Sequence, residues 1–160
     1  MSEMREKDFI ARAVELSRES AKRGGKSLPF GALIVRDGHI IAEACNQVHW
    51  ERDPTAHAEI VAIRGACREL GTHKLSGCIL YASCEPCPMC YAAAYWANME
   101  RIHYAMPGEE IKAFGYDDIG LYEDLAKPRE ERGLVSAIHI PDPRALAIFR
   151  DWFDARIGAR

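Results

Sequence analysis

Two short motifs, thirty residues apart, constrain this chain more than any other feature of its sequence. The first is His57-Ala58-Glu59 and the second is Cys87-Pro88-Met89-Cys90. Each follows a helix-opening signal, Asp53-Pro54 before the first and Glu85-Pro86 before the second. The interval has room for one helix and one strand. Both helices are therefore predicted to begin at the same edge of a central sheet, where the two motifs can meet.

The residue types in these motifs are those of a zinc site. Cys87 and Cys90 are three residues apart, so on a helix they share one face. Two thiolates and the neutral ring of His57 fit tetrahedral zinc and leave its fourth position open, as catalytic zinc requires. Glu59 is better suited to proton transfer than to ligation, because it can reach a water in that open position. The motifs thus predict a hydrolytic zinc centre.

A closed structural zinc site is the competing interpretation, with Cys84 as the fourth ligand. Cys84 precedes the second helix, so we expect it on the strand and away from the metal. The remaining cysteines are expected to be small core residues, because a chain in a reducing compartment does not use its thiols for disulfides. They are Cys45, Cys67 and Cys78.

The length of 160 residues predicts one domain over residues 1–160. It has the α/β class, arranged as a three-layer α/β/α sandwich around a central sheet of about five strands. The helix that follows Glu85-Pro86 is apolar nearly all round from Ala92 to Trp96, so we expect it to be buried. The predicted elements are a helix over 5–23, a hairpin of strands Phe30–Val35 and His39–Ala44, a helix from Asp53-Pro54 to about Leu70, strand Cys78–Ala82, the helix after Glu85-Pro86, strand Arg101–Ala105, a loop over 107–119, a partly helical stretch over 120–132, strand Leu134–Ile140 and a helix from Asp142-Pro143.

Charge and hydropathy exclude several classes of partner. The net charge is −3, without the broad basic footprint of a nucleic-acid binder. No apolar run reaches the roughly 20 residues that span a bilayer. The charged start of the chain does not resemble a signal peptide. We therefore expect a cytoplasmic protein that does not bind a membrane, and its charge pattern does not favour a nucleic-acid partner.

The block from Asp53 to Glu59 and the block from Ser83 to Cys90 resemble the cytidine deaminase-like superfamily of zinc nucleobase deaminases. The resemblance runs from about Phe9 to about Phe153. The second block, the Gly115-Tyr116-Asp117-Asp118 loop and the stretch 127–132 are most similar to the guanine-deaminating branch. The resemblance implies a mixed sheet and hydrolysis of guanine to xanthine and ammonia.

The same resemblance implies roles for individual residues. His57, Cys87 and Cys90 would hold one zinc per chain, and Glu59 would shuttle protons. Asp118 would be a second acid near the exocyclic amine. The substrate contacts would be Phe30 on the purine face, Asn46 at a purine edge, and in addition Ala58 and Trp96, although core packing is the competing role for Trp96.

The C-terminal segment departs from the family pattern. The family resemblance implies closure of the site by an aromatic residue at the extreme C-terminus, as in one member of this branch, whereas this chain ends in Arg156-Ile157-Gly158-Ala159-Arg160. Substrate range can differ for that reason. Guanosine, an aminated triazine, cytosine and tRNA adenosine stay open as alternative substrates, and a non-catalytic zinc module stays open as an alternative class. The resemblance also implies a homodimer, with the C-terminal segment as the part to be exchanged.

Overall fold

The computed structural model describes residues 3–157. Within that range no helix is long and apolar enough to cross a membrane. The residues 158–160 of the predicted C-terminal segment lie outside the described part. The elements in chain order are α1 (Glu3–Lys22), β1 (Gly31–Arg36), β2 (His39–Cys45), α2 (Val48–Glu51), α3 (Ala58–Leu70), β3 (Cys78–Cys84), α4 (Pro88–Trp96), β4 (Arg101–Met106), α5 (Gly108–Lys112), α6 (Asp118–Ala126), a 3-10 turn (Arg129–Glu131) and α7 (Pro143–Ile157).

The sheet has four strands in the order β2-β1-β3-β4. β1 pairs with β2 and with β3 in antiparallel fashion, whereas β3 and β4 are parallel. The Asp37-Gly38 turn joins the first two strands, and both of its residues have positive φ, as tight hairpin turns require. The predicted mixed sheet is confirmed, with four strands in place of about five.

Alternating residues of β1 build the two sides of the core. Leu33 and Val35 pack against α1, and Ala32 and Ile34 pack against α3 on the opposite face. Because successive side chains of a strand point to opposite faces, one buried strand can serve two helical layers. The predicted three-layer α/β/α sandwich is confirmed.

The chain divides into two compact units, residues 3–126 and 127–157 of the described part. The first holds the sheet. The second holds the 3-10 turn and α7, and its Leu134–Ile140 stretch is irregular, so the strand predicted there is wrong. Alternating apolar residues form a strand only where a neighbouring strand accepts the backbone hydrogen bonds. One domain over residues 1–160 stays a prediction.

The two motif helices begin later than predicted, at Ala58 and Pro88. Asp53 forms a local turn instead of a helix cap: its carboxylate accepts hydrogen bonds from the Thr55 backbone N–H at 2.8 Å and hydroxyl at 2.7 Å. The caps are His57 and Cys87, both in extended conformation. Two candidate metal ligands therefore lie at the N-terminal ends of these helices.

The burial predicted for α4 is wrong. Only Cys90 and Ala94 are buried within this helix, while Tyr95 is 69% exposed and Trp96 is 76% exposed. An apolar pattern on every side of a helix indicates that all of its sides can be covered. It does not indicate that the helix's own chain covers them. The predicted loop over 107–119 is also shorter than expected, because it contains α5 and the first residues of α6.

Candidate active site

One edge of the sheet collects the candidate residues. Gly31, the first residue of β1, pairs with Cys45, the last residue of β2, and the neighbouring β3 ends there at Cys84. The residues just beyond the hairpin ends are Phe30 and Asn46, and the Asn46 backbone N–H donates to the Phe30 carbonyl at 3.0 Å. This edge therefore presents an aromatic ring and an amide side by side.

The predicted metal ligands meet with the spacing of a zinc site. Nδ1 of His57 lies 3.6 Å from Sγ of Cys87 and 3.6 Å from Sγ of Cys90, and the two sulfurs are 3.7 Å apart. Tetrahedral zinc with Zn–S bonds of about 2.3 Å and Zn–N bonds of about 2.1 Å places two sulfurs about 3.8 Å apart, and sulfur and nitrogen about 3.6 Å apart. The three side chains thus fit a tetrahedral zinc ion.

Cys84 does not join this cluster. Among the described residues, the group of side chains able to share one metal ion there is His57, Cys87 and Cys90. Burial raises the pKa of the Cys84 thiol to about 11, so it stays protonated at the end of β3. Nothing in this arrangement supports the closed structural site, since three protein ligands leave the fourth position to water or substrate.

The two ligand thiols need a cation between them. The Cys90 thiol beside it lowers the pKa of Cys87 to about 4, with His57 contributing in the same direction against burial. The pKa of Cys90 is raised by the Cys87 thiolate and by burial. Two buried thiolates repel each other, so without a metal they share one proton; zinc carries the positive charge that allows both to ionise.

Glu59 is a buried carboxylate beside the metal ligands. Its residue is 7% exposed, and its Oε2 accepts a contact from Sγ of Cys90 at 3.5 Å. Burial raises the pKa of Glu59 to about 7, and its own backbone N–H acts in the opposite direction. A carboxylate that exchanges its proton near neutral pH suits a general acid–base.

A cavity of about 200 Å³ opens onto the cluster. It is smaller than the roughly 300–1,000 Å³ typical for drug-sized ligands, so it suits a single small ring system. Tyr116 meets the edge of Phe30, with ring centroids 6.3 Å apart, so that two aromatic rings line one wall. The lining residues are Leu28, Phe30, Asn46, His57, Glu59, Cys84, Glu85, Cys87, Ile111, Tyr116 and Asp118.

The two adjacent acids of the 117–118 loop have different roles. The carboxylate of Asp117 accepts from the Gly120 backbone N–H at 3.0 Å and pairs with Lys112 at 3.2 Å. The Gly120 hydrogen bond, followed by Lys112, lowers the pKa of Asp117. Asp117 thus stabilises the start of α6, and Asp118 lines the cavity, where burial raises its pKa.

Asn46 presents a defined face to the cavity. The residue is 2% exposed, and its Oδ1 accepts from the Val48 backbone N–H at 3.3 Å. The side-chain N–H groups remain to donate to a ligand acceptor. A carbonyl oxygen or an unprotonated ring nitrogen meets that requirement.

Two predicted substrate contacts do not line this cavity. Ala58 is fully buried in the core between α3 and the sheet, and Trp96 is exposed near the end of α4. Five lining residues were not predicted to be there. Cys84, Glu85 and Tyr116 lie inside motifs already identified and could have been found from them, whereas Leu28 and Ile111 carry no sequence signal for this site.

Comparison with known proteins gives a consistent set of relatives. Residues 4–106 match the family described as cytidine and deoxycytidylate deaminase zinc-binding region. A guanine deaminase of Bacillus subtilis (strain 168) is 50% identical over 129 residues, 81% of this chain and 82% of that protein. An X-ray structure of guanine deaminase from Bacillus subtilis has a TM-score of 0.85 at 44% identity and covers 96% of this chain and 95% of that one. A tRNA-specific adenosine deaminase of Aquifex aeolicus (strain VF5) is 41% identical over 97 residues, 61% of this chain and 63% of that protein.

Proposed function

Because the chain belongs to the cytidine and deoxycytidylate deaminase zinc-binding family, we propose that it hydrolyses guanine to xanthine and ammonia, with one zinc per chain. The observation that carries this proposal is a small cavity whose lining brings His57 and Cys87 of the metal cluster together with Glu59 and Asp118. The likeness to a guanine deaminase over 81% of the chain supports the choice of base.

The chemistry divides between the metal and two acids. Zinc, when bound, supplies a Lewis acid that makes water nucleophilic near neutral pH. Glu59 takes one proton from the attacking water and delivers it to a ring nitrogen. It then takes the second proton of that water, from the hydroxyl group formed on C2, and delivers it to the amine, which leaves as ammonia while the C2 carbonyl forms. The raised pKa of Glu59 suits a group that both accepts and releases a proton near neutral pH. Asp118 assists at the exocyclic amine on C2.

Recognition of the base uses the opposite wall of the cavity. Phe30 packs on the purine face, and the free amide N–H groups of Asn46 donate to acceptors at the purine edge. Guanine offers O6 and N7 as such acceptors. A base that lacks the matching groups leaves a buried polar group unpaired, so the site discriminates strongly.

Ammonia release over a panel of substrates tests the proposal. The panel holds guanine, guanosine, cytosine, cytidine, adenine, an aminated triazine and a tRNA anticodon stem containing adenosine, with the Glu59→Gln protein as the blank. We expect guanine to give the highest kcat/KM. Turnover of cytidine or of the RNA with guanine inert would overturn the choice of base, although zinc-dependent deamination would stand.

We also propose that the enzyme is a homodimer that exchanges its C-terminal segment. Two observations support this. The second unit carries apolar side chains that are about half exposed or more, and β4 lies at the edge of the sheet, where a strand from a second copy can add. The exposed apolar residues of α7 are Leu146, Ile148, Phe149, Trp152 and Phe153.

Sedimentation tests the assembly. We expect a species of twice the 17.9 kDa of one chain at micromolar concentration. Phe149→Asp is expected to shift it toward the monomer, whereas Arg150→Asp, the next residue on the same helix, is expected to leave it dimeric. A monomer in the wild-type protein would reject the proposal.

A cytoplasmic location is the last part of the proposal. All six cysteines are free thiols, and two of them belong to the candidate metal cluster. Thiols persist unpaired in reducing compartments. Fractionation of cells that express the protein tests the location, and recovery outside the cytoplasm would reject it.

A further inference from the structure

A short stretch of chain, residues 107–122, brings the base-facing acid to the cavity. It contains α5, a turn at Gly115 with φ of +91°, and the start of α6. Tyr116 and Asp118 project from it into the cavity. We call residues 107–122 the acid segment. Its position decides where the Asp118 carboxylate lies relative to the metal ligands.

Two hydrogen bonds fasten the acid segment to the loop that precedes Cys87. The carboxylate of Glu85 accepts from the Gly108 backbone N–H at 2.9 Å, at the start of the segment. The hydroxyl of Tyr122 donates to the Pro86 carbonyl at 2.9 Å, at its end. Each bond reaches a residue within two positions of a metal ligand. The segment is therefore fixed at both ends to the metal side of the site.

Neither Glu85 nor Tyr122 is among the metal ligands or the acid–base groups. Tyr122 lines a neighbouring groove of about 650 Å³ between α4, β4 and α6, and Glu85 lines both that groove and the cavity. Neither side chain has a role in the proposed chemistry. Glu85 already has a backbone partner at Gly108, which identifies it as a fastening group for the segment.

We propose that Glu85 and Tyr122 are positioning residues, which hold the acid segment against the Cys87 loop and so set the place of Asp118 in the site. The inference rests on the proposed function for its kinetic test. The hydrogen bonds themselves are tested without any substrate. A flexible segment would have to be ordered at each turnover, whereas a fastened one presents Asp118 in place.

Tyr122→Phe removes the hydroxyl alone and keeps the ring in the groove. We expect kcat/KM for guanine to fall about 3- to 10-fold, the range typical for one lost hydrogen bond, with zinc content unchanged. Tyr104→Phe is the matched control, because Tyr104 lines the same groove from β4, and it is expected to retain wild-type kcat/KM.

A double variant separates positioning from general stability. If Tyr122 acts through Asp118, Tyr122→Phe has no further effect on kcat/KM in an Asp118→Asn background. An equal fold-loss in both backgrounds, or wild-type kcat/KM in Tyr122→Phe, overturns the proposal. Glu85 gives a parallel test: Glu85→Gln keeps an acceptor for Gly108 and should retain most activity, whereas Glu85→Ala should not.

Hydrogen exchange of the zinc-loaded protein decides the question independently of turnover. We expect faster exchange of the amides of residues 107–122 in Tyr122→Phe and Glu85→Ala, and wild-type exchange in Tyr104→Phe and Glu85→Gln. If the wild-type protein does not deaminate guanine, this result still stands and only the proposed function fails. Wild-type exchange of the segment in both fastening variants would overturn the inference.

Discussion

The metal half of the cavity and its base-facing half are built in different ways. The metal half comes from two helix starts, where local motifs place His57, Cys87 and Cys90 in mutual contact. The base-facing half takes single residues from separate places: Phe30 before β1, and Asp118 at the start of α6. The chemistry is thus encoded locally and the selectivity is assembled by the fold. Substitutions should therefore affect chemistry and selectivity separately.

The largest effect is expected at the metal half, from Glu59→Gln. The amide keeps the shape and an acceptor for Cys90, so zinc content should be unchanged. Proton transfer is lost, and kcat should fall about 10²- to 10⁴-fold. Steady-state kinetics with metal analysis measures both. Glu69→Gln, an exposed residue of the same helix, is the control, and near-normal kcat in Glu59→Gln would contradict the mechanism.

Asp118→Asn should have a smaller effect on the other half. We expect kcat/KM for guanine to fall about 10- to 100-fold with zinc retained, because one of two acid–base groups is removed. The adjacent Asp117→Asn is the sharpest control, since asparagine stabilises a helix start as well as aspartate does. If the two variants lose activity equally, Asp118 has no special role and the difference between the neighbours disappears.

Phe30→Leu should affect binding more than chemistry. Leucine retains apolar packing but removes the aromatic face, so KM for guanine should rise about 5- to 10-fold while kcat changes little. Phe114→Leu provides the reference, because Phe114 is 78% exposed and does not line the cavity. A loss confined to kcat would mean that Phe30 acts on the chemical step and not on binding of the base.

The smallest effect is expected outside both halves, at the ion pair between Arg12 and Glu43. Arg12 lowers the pKa of Glu43, so this stabilisation is present above the unfolded pKa of about 4.3 and is lost as pH falls through the lowered folded value. Glu43→Gln should cost about 0.5 kcal/mol at pH 7, because the pair is partly exposed, and almost nothing near pH 2. Urea unfolding at both pH values checks this, and an equal cost at both would contradict it.

The metal half of the cavity is also easier to predict from sequence than the base-facing half. The metal ligands could be identified because their spacing within each motif is local. The first motif helix begins later than predicted because Asp53 forms a turn, which a capping pattern does not distinguish from a helix start. Leu28 and Ile111 could not be predicted as cavity walls, since only the folded chain brings them there.

The second unit shows the other limit of prediction from sequence. The alternation from Leu134 to Ile140 has the period of a strand, yet these residues are irregular in the chain described here, and Ile138 and Ile140 are each 83% exposed. A strand needs a partner as well as a pattern. The proposed exchange between two copies would supply that partner. The alternating sequence could then form a strand in the dimer although it is irregular in a single chain.

Zinc titration tests the central claim most directly. The metal is removed with a chelator, which should abolish xanthine formation, and zinc is then returned in measured amounts per chain. We predict that turnover of guanine rises linearly and stops rising at one zinc per chain, in proportion to occupancy of the site formed by His57, Cys87 and Cys90. Xanthine formation by the metal-free protein, or a fully zinc-loaded protein that leaves guanine unchanged, would contradict the account.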